Sequence, residues 1–113
     1  MVVGTLRIVP SSDRRPEVLE VLRSIEGPVR AQPGCAGFHI YEEHDADRAV
    51  VLVERWESAF ALEAHIRSEA YRRILGAIEL CGHPPEVYFD HVSVTEGIEL
   101  IERTRNRDAT VGH

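Results

Sequence analysis

Apolar residues along this chain recur with a period of two in some stretches and near 3.6 in others, and the order of these stretches predicts the architecture. Val2 to Val9 is rich in β-branched residues and is stopped by Pro10-Ser11-Ser12-Asp13, which reads as a first strand. Val18, Leu19, Leu22, Ile25 and Val29 then recur at helical spacing, with Glu17, Glu20, Arg23 and Glu26 facing water. Ser12 or Asp13 can cap that helix, Pro16 suits its first turn, and Gly27-Pro28 predicts a kink. Gln32-Pro33-Gly34 reads as a turn into a second strand, Cys35 to Glu43, with Phe38 and Ile40 on one face and His39 and Tyr41 on the other.

The polar turn His44 to Arg48 is short enough for a hairpin into a third strand, Ala49 to Trp56. Val50, Val51, Leu52 and Val53 are all apolar, so both faces of that strand must be covered. Ser58 caps a helix through Phe60, Leu62 and Ile66, a break follows near Ser68, and Tyr71, Ile74, Leu75 and Ile78 mark a further apolar helix face. Gly82-His83-Pro84-Pro85 ends it, and Glu86 to Thr95 reads as a fourth strand. The order β-α-β-β-α-β predicts an α+β, ferredoxin-like fold: a four-stranded antiparallel sheet with its helices on one face, occupying residues 1–96. Residues 97–113 form a C-terminal extension, in which Ile98 and Ile101 fit a helix while Ile98 and Leu100 fit a strand; the reading taken is a short helix and then a loose polar tail.

Helices on one side leave the other side of the sheet bare, and here that side is also apolar. The resulting patch is larger than a soluble monomer ordinarily carries. A homodimer stacking two sheets face to face is the simplest remedy.

Composition narrows the function classes. The chain has 113 residues, enough for one core, and 13 Lys+Arg against 19 Asp+Glu give a net charge of −6, every basic residue being arginine. An acidic chain has no electrostatic basis for binding nucleic acid, and no apolar run approaches the ~20 residues needed to span a bilayer. Without the basic and hydrophobic regions of a signal peptide near Met1, the expected location is cytoplasmic. Cys35 and Cys81 form no CxxC pair, and Cys81-Gly82-His83 supplies too few ligands for zinc, so no metal is expected.

Three stretches carry a family likeness: Pro28 to Gly37, then Glu54-Arg55-Trp56-Glu57-Ser58 with Leu62-Glu63-Ala64-His65-Ile66, then Tyr71-Arg72. They resemble the antibiotic biosynthesis monooxygenase family of dimeric α/β-barrel proteins, over about Val2 to Val94. The resemblance implies a pocket between sheet and helices and a homodimer built by sheet packing. It also implies, in the cofactor-free branch, deprotonation of an electron-rich phenol or anthrone whose anion passes an electron to dioxygen. That chemistry needs a base, an apolar cavity and exclusion of water, and histidine is the natural base near neutral pH.

His65 borders the apolar face of its helix and is therefore the candidate acid/base. Trp56, which shares its strand face with Leu52 and Glu54, and Tyr71 on the last helix are candidate pocket walls, as are His39 and Tyr41 on strand two and His91 on the last strand. Trp56 and Tyr71 serve equally well as core residues. The haem-degrading branch fits poorly: Val2 to Val9 has no asparagine, the sole tryptophan is on a strand, and Leu75 stands where an axial ligand would be sought. The expectation is a cofactor-independent monooxygenase for a small aromatic or quinol-type molecule, and the alternative is a non-enzymatic barrel that binds a small hydrophobic ligand. A cavity of a few hundred cubic ångströms faced by His65 favours the first, and an interior filled by side chains favours the second.

Overall fold

The computed structural model describes residues 1–111, with side chains through Arg107. Its elements run β1 (Val2–Ile8), α1 (Arg15–Ser24), α2 (Glu26–Arg30), β2 (Cys35–Glu42), β3 (Val50–Trp56), α3 (Ala59–Ile66), α4 (Glu69–Cys81), β4 (Glu86–His91) and α5 (Ile98–Val111). The strands pair antiparallel in the order β2-β3-β1-β4, the ferredoxin-like arrangement that the periodicities predict. In the single chain this sheet is open, with β2 and β4 at its edges.

One face of the sheet packs against the helices. Val2, Leu6, Ile8, Phe38, Val50, Leu52 and Trp56 meet Val18, Leu22, Ile25 and Val29 from α1 and its sequel, and Leu62, Ile74 and Ala77 from α3 and α4. Burial alternates along β1 and β3 because successive side chains leave a strand on opposite sides. The opposite face carries Val3, Val51 and Val53, only partly buried, with Tyr41 and Tyr88 exposed beside them.

The helix ends follow from local chemistry. Ser58 accepts a hydrogen bond from the Ala61 N–H and Ser68 one from the Tyr71 N–H, so each opens a helix by satisfying an orphan amide. The kink expected at Gly27-Pro28 falls earlier, as a break at Ile25, and Gly27 and Pro28 lie within α2, where Pro28 is in the first turn and its missing N–H costs nothing. The start of α1 is tied instead by backbone: the Arg14 and Arg15 N–H groups reach the Ser11 carbonyl, and no side chain caps it. Leu75, expected on the buried side of α4, is exposed, because Ala70, Ile74, Ala77 and Cys81 form the stripe that faces the core.

The fourth strand stops at His91 rather than continuing to Thr95. Helix α5 runs past the short segment expected there, since neither glycine nor proline interrupts Ile98 to Val111. The expectation for residues 112–113 lies outside the described residues. Among the described residues, no helix is long and apolar enough to cross a membrane.

Gly34 has the closest packing constraint in the fold. Its φ of +79° lies in the left-handed region, and a Cβ there would sit 2.5 Å from the Cβ of Ala61. Its carbonyl accepts from the Glu57 N–H at 2.8 Å, so the turn is pinned to the end of β3 and brings Gln32 against α3. Gly34→Ala is expected to lower stability by about 2–4 kcal/mol through backbone strain and overlap with α3, a loss read from the urea midpoint at unchanged m-value.

Candidate active site

Period two along β3 places Glu54 and Trp56 on the helix-facing side with Val50 and Leu52. A carboxylate is thereby carried into the core, and Glu54 is buried. Its partner comes from α3, where Ala61, Leu62 and His65 lie on the inward face. His65 is 1% exposed, and its Nε2 lies 2.7 Å from Glu54 Oε2. Its Nδ1 lies 2.7 Å from Gln32 Oε1.

The rest of the ring is enclosed by aromatic side chains. Trp56 stacks on His65 with centroids 4.5 Å apart and planes inclined by 26°, and Tyr71 meets it edge-on at 5.3 Å. The imidazole thus lies nearly flat against the indole face. Gln32 serves either protonation state of the ring. Its carbonyl oxygen accepts from Nδ1–H when the ring carries both protons, and the same amide, turned over, donates to Nδ1 when the ring is neutral. With Nε2–H donating to Glu54, both ring nitrogens have a partner. Among the described residues the Trp56 Nε1–H has no hydrogen-bond partner.

Glu54 has a second oxygen. Among the described residues Oε1 receives no hydrogen bond, and it lies on the Gly4 side, 3.0 Å from where a Cβ on Gly4 would stand. A narrow cleft opens there, lined by Gly4, Leu52, Glu54, Tyr71, Val87 and Phe89 among others. A side chain on Gly4 would also meet the Phe89 ring at 3.2 Å, so the glycine is what keeps the cleft floor open. In this conformation the cleft holds about 10 Å³, room for roughly one water. A larger, open hollow of about 450 Å³ lies on the other side of α3, bordered by Gln32, Phe60, Ala64 and His65.

His65, Trp56 and Tyr71 thus come together as one cluster, with Tyr71 also reaching the cleft. His65 is almost fully buried and borders only the hollow beside α3, and Glu54 is the group of the pair that lines the cleft. His39 and Tyr41 project from the bare sheet face, their rings 6.1 Å apart, away from this cluster. His91 pairs with Val2 at the end of the exposed strand β4 and does not line the cleft. Two residues of the cluster were not picked out from sequence. Glu54 was signalled by its alternation with Leu52 and Trp56. Gln32, 33 positions from His65, had no local signal.

Burial, and after it the charge of Glu54, push the Tyr71 phenol above its ordinary value. Tyr71 therefore stays a hydrogen-bond donor at the cleft well past neutral pH. Burial likewise pushes the thiols of Cys35 and Cys81 up, which makes both poor nucleophiles.

The chain matches the model of the family named "Antibiotic biosynthesis monooxygenase" over residues 1–77. It belongs to that family. The chain is similar to Rv0793 of Mycobacterium tuberculosis, a protein named as a monooxygenase, at 35% identity over 65 residues (58% of this chain, 63% of that protein). The solved structure of Rv0793 covers 85% of this chain and 98% of its own, with TM-score 0.77 and 29% identity. A family structure from Deinococcus radiodurans superposes with TM-score 0.79 at 15% identity over 87% of this chain and 98% of its own, a likeness of fold alone. A Synechocystis protein, sll1783, is 23% identical over 97 residues, 85% of this chain and 65% of that one. The chain spans 60 to 65% of the length of the curated relatives it matches.

Two outcomes follow from the cluster. His65→Ala leaves the Glu54 carboxylate buried without its partner and is expected to cost about 3 kcal/mol in chemical unfolding. Glu54→Gln removes the charge that adds to burial at Tyr71, so the phenol should titrate lower than in the wild type yet still above an ordinary tyrosine. Absorbance at 295 nm through alkaline pH reads this, with Tyr71→Phe identifying the signal among the three tyrosines. A raised phenol pKa stabilises the fold below the ordinary tyrosine range, and that contribution is lost as pH rises through the folded value.

Proposed function

We propose that this protein is a cofactor-independent monooxygenase acting on a small aromatic or quinol-type molecule at the cleft between α4 and the sheet. Membership of the family supports the reaction class. The observation that supports the site assignment is the division at Glu54: Oε2 is held by His65, while Oε1, which receives no hydrogen bond among the described residues, lies beside the cleft. A carboxylate in that position takes the proton, and His65 orients it and answers its charge. Catalysis by His65 is thus exerted through Glu54.

For a methylene flanked by aromatic rings, the reaction runs as follows. The C–H proton passes to Glu54 Oε1 and leaves a stabilised carbanion. One electron goes to dioxygen, and the resulting superoxide and carbon radical combine as a peroxide anion. Glu54 returns the proton, and loss of water from the hydroperoxide leaves a ketone. One substrate and one dioxygen give one ketone and one water. Tyr71, kept protonated, donates to the substrate oxygen as negative charge builds there, and Phe89 and Val87 offer apolar walls. The protein works as a homodimer through the bare sheet face, where Val3, Val51 and Val53 with Tyr41 and Tyr88 form an apolar surface.

The small volume of the cleft favours a second reading, a barrel that binds a small hydrophobic molecule without turning it over. Oxygen uptake separates the two, measured with a panel of hydroquinones and anthrones in the presence of a chelator. Under the first reading Glu54→Gln lowers turnover by about 100-fold or more, and Tyr71→Phe lowers it by a smaller factor. Absence of uptake with every compound, together with saturable quenching of Trp56 fluorescence by one of them, establishes the binding protein instead.

A further inference from the structure

Two polar groups at the cleft are left unengaged by the rest of the fold. Glu54 Oε1 receives no hydrogen bond among the described residues and lies beside Gly4 at the cleft floor. Tyr71 lines the same cleft from α4, and its hydroxyl makes no hydrogen bond among the described residues; only its backbone N–H is engaged, by Ser68. Burial, and then the charge of Glu54, raise this phenol above its ordinary value, so the two groups stand close and Tyr71 remains a donor. Most of the remaining wall is apolar, from Leu6, Leu52, Ile74, Val87 and Phe89. One proton acceptor and one proton donor are thus set against an apolar surface.

That pairing suits a ketone with a hydrogen on the carbon next to its carbonyl. A carboxylate removes the C–H proton, the charge moves to oxygen as an enolate, and a protonated phenol answers it there. Two further observations favour a reaction of one molecule with itself. The cleft holds about 10 Å³ and must widen for any organic molecule, and it must widen further if dioxygen is to be seated as well. Glu54 Oε2 is bound to His65 at 2.7 Å, which fixes the carboxyl group, so a proton taken on Oε1 stays over the molecule it came from.

We infer that this cleft also catalyses an allylic proton shift in small unsaturated ketones, with Glu54 carrying the proton and Tyr71 donating to the enolate oxygen. In a ketone whose double bond lies one carbon out of conjugation, Glu54 Oε1 takes a proton from the carbon between the carbonyl and the double bond. The electrons of that C–H bond form a new carbon–carbon double bond, and the carbonyl π electrons move onto oxygen, where the Tyr71 hydroxyl donates a hydrogen bond. The carbonyl then re-forms, the double bond shifts into conjugation, and the far alkene carbon takes the proton back from Glu54. Reactant and product are isomers, no electron acceptor is consumed, and Glu54 ends as the carboxylate it began as. The inference rests on the cleft assigned above and not on the reaction with dioxygen.

Cyclohex-3-enone is the probe, a single six-membered ring that asks little widening of the cleft. Under nitrogen, with a chelator present, its conversion to the conjugated cyclohex-2-enone is followed by ultraviolet absorbance. The wild type should raise the rate above that of buffer in proportion to protein concentration. Glu54→Gln should lower kcat/KM by about 100-fold or more, and Tyr71→Phe by about tenfold or more, with urea midpoints reporting that each is folded. Tyr71→Phe removes one hydroxyl and carries the test alone if Glu54→Gln does not fold. Equal rates in the wild type and in the folded variants overturn the inference, as does a wild type that leaves the ketone unchanged. Oxygen uptake with an anthrone but no isomerisation overturns it and leaves the monooxygenase standing. Isomerisation without oxygen uptake on any compound of the hydroquinone and anthrone panel supports it and removes the monooxygenase instead.

Discussion

A single hydrogen bond between a strand and a helix, His65 Nε2 to Glu54 Oε2 at 2.7 Å, decides how this site is built. A carboxylate on the buried side of a strand is costly to desolvate unless something answers its charge. The imidazole does so from α3, and three further contacts hold the imidazole: the Gln32 amide, the Trp56 face and the Tyr71 edge. Removing any of them loosens the group that makes Glu54 tolerable. The arrangement also couples distant parts of the chain, because Gln32 is held in place by the Gly34 turn, and that turn is fastened to the end of β3.

The consequence for chemistry is an asymmetric carboxylate. One oxygen is committed to the contact with His65 and the other is left toward the cleft. A histidine placed directly in the cleft would have to swing between partners. Here the ring is held by stacking on Trp56, and its second nitrogen rests on the Gln32 amide. Gly4 adds the remaining requirement, space next to the free oxygen.

Much of the ring cluster at the candidate site was legible because aromatic and histidine residues announce themselves. Trp56, His65 and Tyr71 stood at positions that helical and strand periodicities turned inward, and the structure brings the three rings into contact. Glu54 lay on the same strand face by the same alternation, yet a lone glutamate in a strand is ordinarily solvated, and nothing local distinguishes one that is not. His39 and Tyr41 show the converse. Alternation put them on one face together, but which face turned toward the helices depended on Phe38 and Ile40 packing inward. The end of the chain was ambiguous for a different reason: Ile98, Leu100 and Ile101 fit two periodicities over a span too short to choose between them.

By itself the amino-acid sequence determined the element order, the antiparallel four-stranded plan and the family likeness, because these follow from patterns that repeat every two or every few residues and from turns made by neighbours in the chain. Tertiary structure alone decided that Gln32 would meet His65 and that Glu54 would offer one oxygen to a cleft floored by Gly4. Both depend on contacts between residues far apart in the chain, and no local pattern encodes a distance across a fold.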